Sequence, residues 1–140
     1  MTEKLTKEKA AALIESWADI VELDTDRDMY QDILEELRLP VRLQKLTFDM
    51  EEEIFKLQLN KPISGPNGEI HIVEIKSIKF EAKRVLQKYK QNEGMDSARA
   101  LIKAYTGLEE SSIKQLKDRD FDRINCIIIG FFMQVDSKKR

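Results

Sequence analysis

Most of the apolar residues in this chain recur at three- and four-residue intervals, but in the middle the period drops to two. In IFKLQLNKPI, residues 54–63, Phe55, Leu57 and Leu59 alternate with Lys56, Gln58 and Asn60. Alternation puts successive side chains on opposite faces, so the segment reads as a half-buried strand. The next residues, SGPNGE at 64–69, hold two glycines, a proline and an Asn-Gly pair, which mark a tight turn. Residues 70–78, IHIVEIKSI, then resume the alternation. Two alternating runs joined by a turn make an antiparallel β-hairpin, over about 54–78.

The flanks read as helices. From Lys4 to Leu23, Leu13, Ile14, Trp17, Ile20 and Val21 form one apolar stripe, with Thr6 or Thr2 as the cap. Asp24 to Asp28 interrupts it, and a second helix carries Met29, Ile33, Leu34 and Leu37. Pro40 is expected to stop that helix, because proline lacks the N–H and disfavours helix in the residue before it. Residues 41–53 carry no clear period and end in the acidic run DMEEE. After the hairpin come a helix at Phe80–Tyr89, a break at Asn92-Glu93-Gly94, and a helix through Tyr105 stopped by Gly107. A short piece with Ile113 and Leu116 leads to a last helix, capped by Asp118 or Asp120 and running to about Val135. The fold class is therefore α+β, mainly helical, with one antiparallel hairpin between two N-terminal helices and a helical C-terminal half.

The chain has 140 residues, enough for one domain with an extra arm. It contains no apolar run near the 18 residues or so of a membrane span, and MTEKLTKEKA lacks the apolar stretch of a secretory signal. Cys126 is alone, so an internal disulfide is excluded, and one Cys with one His is a poor zinc set. These features point to a soluble protein of a reducing cytoplasm. The charge is split. Residues 1–53 carry 15 acidic against 7 basic side chains, a net of −8, and residues 54–140 carry 17 basic against 11 acidic, a net of +6. The split coincides with the change of period at Ile54, so residues 1–53 read as an acidic helical arm and 54–140 as a second unit.

No set of residues converges on catalysis or on a cofactor. Asp24, Asp26, Asp28, Asp32 and Glu35 match positions 1, 3, 5, 9 and 12 of a calcium-binding loop. Met29 stands where that loop needs glycine, so helix capping is the better reading. His71 has no nucleophile or acid to work with. Cys126 lies in an apolar helix and reads as a packing residue. SGPNGE lacks the Lys-Ser/Thr of a phosphate-binding loop. Lys76, Lys79, Lys83, Arg84, Lys88 and Lys90, with Phe80 and Tyr89 among them, form a basic face that suits nucleic acid phosphates. Glu74 and Glu81 interrupt it, and the sequence pI of 5.6 argues against such a footprint. A solvated face or a dock for the acidic arm fits better. The last helix is unusual, because CIIIGFFM, residues 126–133, is apolar on nearly every side. Such a helix is either central to a core or covered by a partner or a second copy of the chain.

Lys61-Pro62-Ile63 at the end of the first strand, Gly68-Glu69 in the turn, Thr106-Gly107-Leu108, Ile113, Leu116, Asp120 and Phe131-Phe132 together resemble a pattern found in bacteriophage tail assembly chaperones. The resemblance is to the group in myophages such as Mu and covers about residues 54–135. It implies a protein without enzymatic activity that coats the tape measure protein during tail assembly, in the cytoplasm of the bacterial host, and is absent from the mature virion. It also implies a longer product made by frameshifting near the 3′ end of the gene, where the codons of Lys138-Lys139 are a candidate slippery run. The sequence departs from the pattern after the second strand, which leads directly through Lys76-Ser77-Ile78, and residues 1–53 have no counterpart in it. On this reading no metal or cofactor is expected. Ile128, Ile129, Phe131, Phe132 and Met133 are the expected contacts to the client. The alternative is a small nucleic-acid-associated phage or prophage protein using the basic helix face.

Overall fold

A computed structural model describes residues 4–76, except Asp24 and Arg27, and residues 94–133. Its elements are α1 (Lys7–Ile20), α2 (Asp28–Arg42), β1 (Leu46–Asp49), β2 (Ile54–Gly65), β3 (Gly68–Lys76), α3 (Gly94–Thr106), α4 (Glu110–Ile113), α5 (Asp118–Ile127) and a π-helical segment at Ile128–Met133. The architecture is α+β, with two N-terminal helices and a three-stranded antiparallel sheet in the order β1-β2-β3. The helix expected at Phe80–Tyr89, with Lys79–Lys90 of the basic face and the tail after Met133, lies outside the described residues.

Local signals account for the ends of the first two helices. The Thr6 Oγ1 accepts the Lys9 N–H at 3.1 Å and opens α1, while Ala10, Ile14, Trp17 and Ala18 form its buried stripe. At the other end the Glu22 N–H donates to the Asp19 carbonyl and the Leu23 N–H to the Ala18 carbonyl, the paired bonds that close a helix through a left-handed residue. Glu22 adopts that conformation, with φ of 60°. The same closure ends α2, where Gln44 takes φ of 57° and the Lys45 N–H reaches the Pro40 carbonyl at 2.8 Å.

Pro40 therefore does not stop α2, which continues to Arg42. It sits in the last turn, where it forfeits one backbone hydrogen bond, and its ring is buried. Apolar packing offsets the local penalty. The segment without a clear period contains a further strand, β1, whose Leu46 and Phe48 stand opposite Leu57 and Phe55 of β2. The acidic run DMEEE is mostly the connection to β2, and the Asp49 carboxylate accepts the N–H groups of Glu51 and Glu52 there.

The hairpin closes through Pro66 and Asn67, with Gly65 opposite Gly68. Gly68 has φ of 118°, a conformation that side chains rarely adopt. The ladder is interrupted between Gln58 and Ile63 of β2, which pair with Ile72 and Ile70 of β3. Leu59, Asn60, Lys61 and Pro62 thus face a single residue, His71. A proline fits this bulge because it has no N–H to give to a ladder.

The boundary expected at Ile54 does not separate two cores. One buried cluster joins Ile14 and Trp17 of α1, Ile33 and Leu37 of α2, Phe55 and Leu57 of β2, Val73 and Ile75 of β3, Ile102 and Tyr105 of α3, and Ile124 and Ile127 of α5. Phe55 is its hub, with ring centroids 5.7 Å from Trp17, 4.5 Å from Phe48, 4.8 Å from Phe131 and 5.8 Å from Phe132. The acidic arm is thus part of the fold, because β1 pairs with β2 and α2 packs on α5.

Candidate functional surface

Asp118 or Asp120 is expected to cap the last helix. Lys117 is the N-cap instead, and no side chain caps that end. The Asp120 carboxylate turns to the bulge of β2, where it accepts the Asn60 N–H at 3.0 Å on each oxygen and the Lys61 N–H at 3.2 Å. The side chain is fully buried. Asn60 in turn accepts from the Lys45 Nζ at 2.8 Å and from Arg123 at 3.4 Å. Burial pulls the Arg123 guanidinium down from its ordinary value, and the Asp120 carboxylate, followed by Glu36, pulls it back up. Arginine stays charged through such a shift, so the network is a cation and an anion set around a backbone bulge.

Farther along β2, the Ser64 N–H donates to Gln115 Oε1 at 2.8 Å and the Ser112 hydroxyl donates to the Ser64 carbonyl at 2.8 Å. Beyond the short partner β1, side chains from the α4–α5 region thus satisfy the edge of β2, which protects it from pairing with another chain. A shallow cleft of about 600 Å³ lies beside the bulge, bordered by Asn60, Lys61, Arg119 and Asp120. The bulge occupies the Asp120 carboxylate, and the other acid on the cleft, Asp118, is exposed beside the basic side chains Lys61, Lys117 and Arg119. The Asp120 network is structural.

The five expected contact residues fall into three groups. Ile128 and Phe131 have no exposure, and Phe132 keeps 8% and stacks on Tyr105 with centroids 5.4 Å apart. Ile129 is 36% exposed. The side chain of Met133 lies outside the described residues. The expectation of a five-residue contact face is therefore revised: three of the five residues are core, and Ile129 alone is placed at the surface. The reason is the position of the helix. α5 and the π-helical segment run between α2 on one side and β2 and α3 on the other, so a helix apolar nearly all round is the central one.

Gly130 sets how closely this helix approaches α2. A Cβ there would lie 2.8 Å from both Cδ1 and Cγ1 of Ile33, closer than carbon atoms pack. We expect Gly130→Ala to destabilise the fold by about 1 kcal/mol net. Overpacking costs about 1–3 kcal/mol, centred near about 2, and removing a helical glycine returns about 1 kcal/mol. Urea unfolding checks this, and adding Ile33→Ala is expected to give a loss smaller than the sum of the two single losses.

Next to Gly130 a groove of about 300 Å³ opens between α2 and α5. Ile33, Cys126 and Ile129 line its floor, and Asp32, Glu36 and Asp122 its rim. All three carboxylates are exposed, and none forms a salt bridge among the described residues. The Asn125 Oδ1, in the same wall, is buried and has no hydrogen-bond partner among the described residues. Burial, then Glu36 and Asp32, pushes the Cys126 thiol up to about 12. Burial, then Glu15 and Asp19, does the same to Tyr30, also to about 12.

Both groups are neutral in the fold and ionise more easily in the unfolded chain, near pH 8.5 for the thiol and 10 for the phenol. Their contribution to stability is therefore full below about pH 8.5 and declines as pH rises from there towards 12. We expect the urea midpoint to fall above about pH 9, and iodoacetamide to label Cys126 far more slowly in the fold than in denaturant. Equal labelling rates would contradict the placement of the thiol.

The remaining candidates do not assemble a site. Asp28, Asp32 and Glu35 are exposed positions along α2, so the second half of the acidic motif is a helix and does not wrap an ion. Asp24 is outside the described residues, and among those described no three His, Cys, Asp or Glu side chains are placed to hold a metal. His71 is exposed on β3, 3.3 Å from Glu69. No described helix is long and apolar enough to cross a membrane. Sequence reading missed the groove because its two walls are about ninety residues apart. The local signal was the Asp32–Glu36 spacing, which puts both carboxylates on one helix face.

Comparison with protein-family models, curated proteins and solved structures finds no match to this chain.

Proposed function

We propose that the protein is a tail assembly chaperone of a bacteriophage or prophage, binding the tape measure protein reversibly and without chemistry. The observation that carries this reading is the way the residues of the resemblance meet. Lys61, at the bulge, and Asp120, 59 residues later, are hydrogen-bonded neighbours. Gly68-Glu69 opens β3 from the hairpin turn, and Thr106-Gly107-Leu108 is the stop of α3, with Gly107 at φ of 75° and the Leu108 N–H on the Thr106 hydroxyl at 3.2 Å. Ile113, Phe131 and Phe132 are buried in the shared core. Residues scattered over the second half of the chain thus form one interlocked unit, as expected of a pattern that defines a fold family.

The client is a long helical chain with an apolar face, and such a chain docks into a groove between helices. The α2–α5 groove, with Ile129 exposed at its floor, is the surface we assign to it. The test starts with the DNA beside the gene. A slippery run near the 3′ end followed by a very long helical reading frame is the expected finding, and that frame names the client. Co-expression should then keep the client in the soluble fraction. Neighbours unrelated to a tail, or a client equally insoluble with and without the chaperone, would overturn the reading.

A further inference from the structure

We infer that the α2–α5 groove takes a basic amphipathic helix from a partner protein, with an apolar side chain seated between Ile33 and Ile129 and Lys or Arg side chains on the rim. The proposal rests on the preceding reading only in treating this groove as a binding face. The chemistry of the occupant is read from the groove itself. Three carboxylates, Asp32 and Glu36 from α2 and Asp122 from α5, surround an apolar floor, and among the described residues no cationic side chain lines the groove. Asp32 and Glu36 are one helical turn apart, so both project along the same side of the opening.

An occupant that brings N–H donors satisfies these rim acceptors. Lysine and arginine supply donors and no acceptor, so a cationic side chain pairs with the rim. An acidic helix would set like charges against the rim, and a neutral apolar helix would leave the three carboxylates without a partner. The groove thus selects by charge as well as by shape, and its apolar floor requires more than a charged coil.

The test uses the full chain, labelled with ¹⁵N, and three synthetic helical peptides of equal length. One is a Leu/Lys amphipathic helix, the second the same pattern with Glu in place of Lys, and the third an Ala/Lys helix without the apolar face. We expect the Leu/Lys peptide to shift the amide signals of Asp122, Cys126, Ile129 and Gly130. Raising salt from about 0.05 M to about 0.5 M, which shortens the screening length about threefold, should weaken that binding at least severalfold. Asp32→Lys with Glu36→Lys should weaken it more than tenfold, and Ile129→Ser should weaken it while leaving the salt dependence in place. Because these residues are exposed, the variants should retain the wild-type thermal melt, which is recorded for each. Equal binding of the Ala/Lys peptide, shifts centred elsewhere, or indifference to the charge reversals would overturn the proposal. So would concentration-dependent self-association that the same reversals abolish, since a second copy would then be the occupant. A positive peptide result with no effect on the tail client would leave the groove assigned and the tail reading refuted.

Discussion

Phe132→Asp is expected to unfold the protein, with loss of the helical circular dichroism and of a cooperative melt. Phe132 lies between Phe55 and Tyr105, at centroid distances of 5.8 and 5.4 Å, and is 8% exposed. Removing a buried phenylalanine side chain costs about 3–5 kcal/mol, and placing an unpaired carboxylate in the space adds several kcal/mol more. The total stability of a domain is about 5–15 kcal/mol, so the sum consumes most or all of it. Phe132→Leu, which keeps an apolar side chain, is expected to fold with a lowered melting temperature. A folded aspartate variant that only lost partner binding would place Phe132 on the surface and contradict this packing.

The second large effect is at Asp120. Asp120→Ala is expected to cost about 3–5 kcal/mol, because it leaves the Asn60 and Lys61 N–H groups without an acceptor and Arg123 without its nearest buried anion. Asp120→Asn retains one carbonyl acceptor at the bulge and is expected to lose less than half as much. The ratio of the two losses, from urea unfolding, distinguishes a network of this kind from simple helix capping. A cap at the start of α5 would make alanine cost only about 1 kcal/mol.

The packing also explains which parts of the fold could be read in the sequence. The hairpin was legible because a strand period of two and SGPNGE are local signals, and α1 was legible from Thr6 and its stripe. Gly107 likewise marked the end of α3. Pro40 misleads as a stop signal because its local cost is small in the last turn of a helix, and its ring gains burial that no window of sequence reveals. β1 was missed because four residues are too few to show a period, and its identity comes from pairing with β2. The bulge at Leu59–Pro62 depends on Asp120, which is adjacent only in the fold.

The same distinction governs the functional surface. An all-round apolar segment fits both a buried helix and a docking face, and composition offers no choice between them. α2 decides it by covering one side of the segment while β2 covers the other, leaving Ile129 as the residue placed outside. The acidic N-terminal half was legible as a charge run, yet its use was not. α2 supplies two of the three rim carboxylates, and α5, from the basic half, supplies the third. The groove thus belongs to neither half alone. This is why truncation at Ile54 is a poor way to study the protein, since it removes one wall of the candidate site together with Trp17 and Leu37 of the core.

The measurement that bears most directly on the account is co-purification of the tail client with wild-type protein, Ile129→Asp and Glu36→Lys. The proposed client is the long helical protein expected to be encoded beside the gene, and each variant is first shown to melt as the wild type does. The account predicts a complex with the wild type and its loss with both variants, through a lost apolar contact in one and a reversed rim charge in the other. A complex that survives both substitutions in folded protein would contradict the assignment of the α2–α5 groove as the binding face.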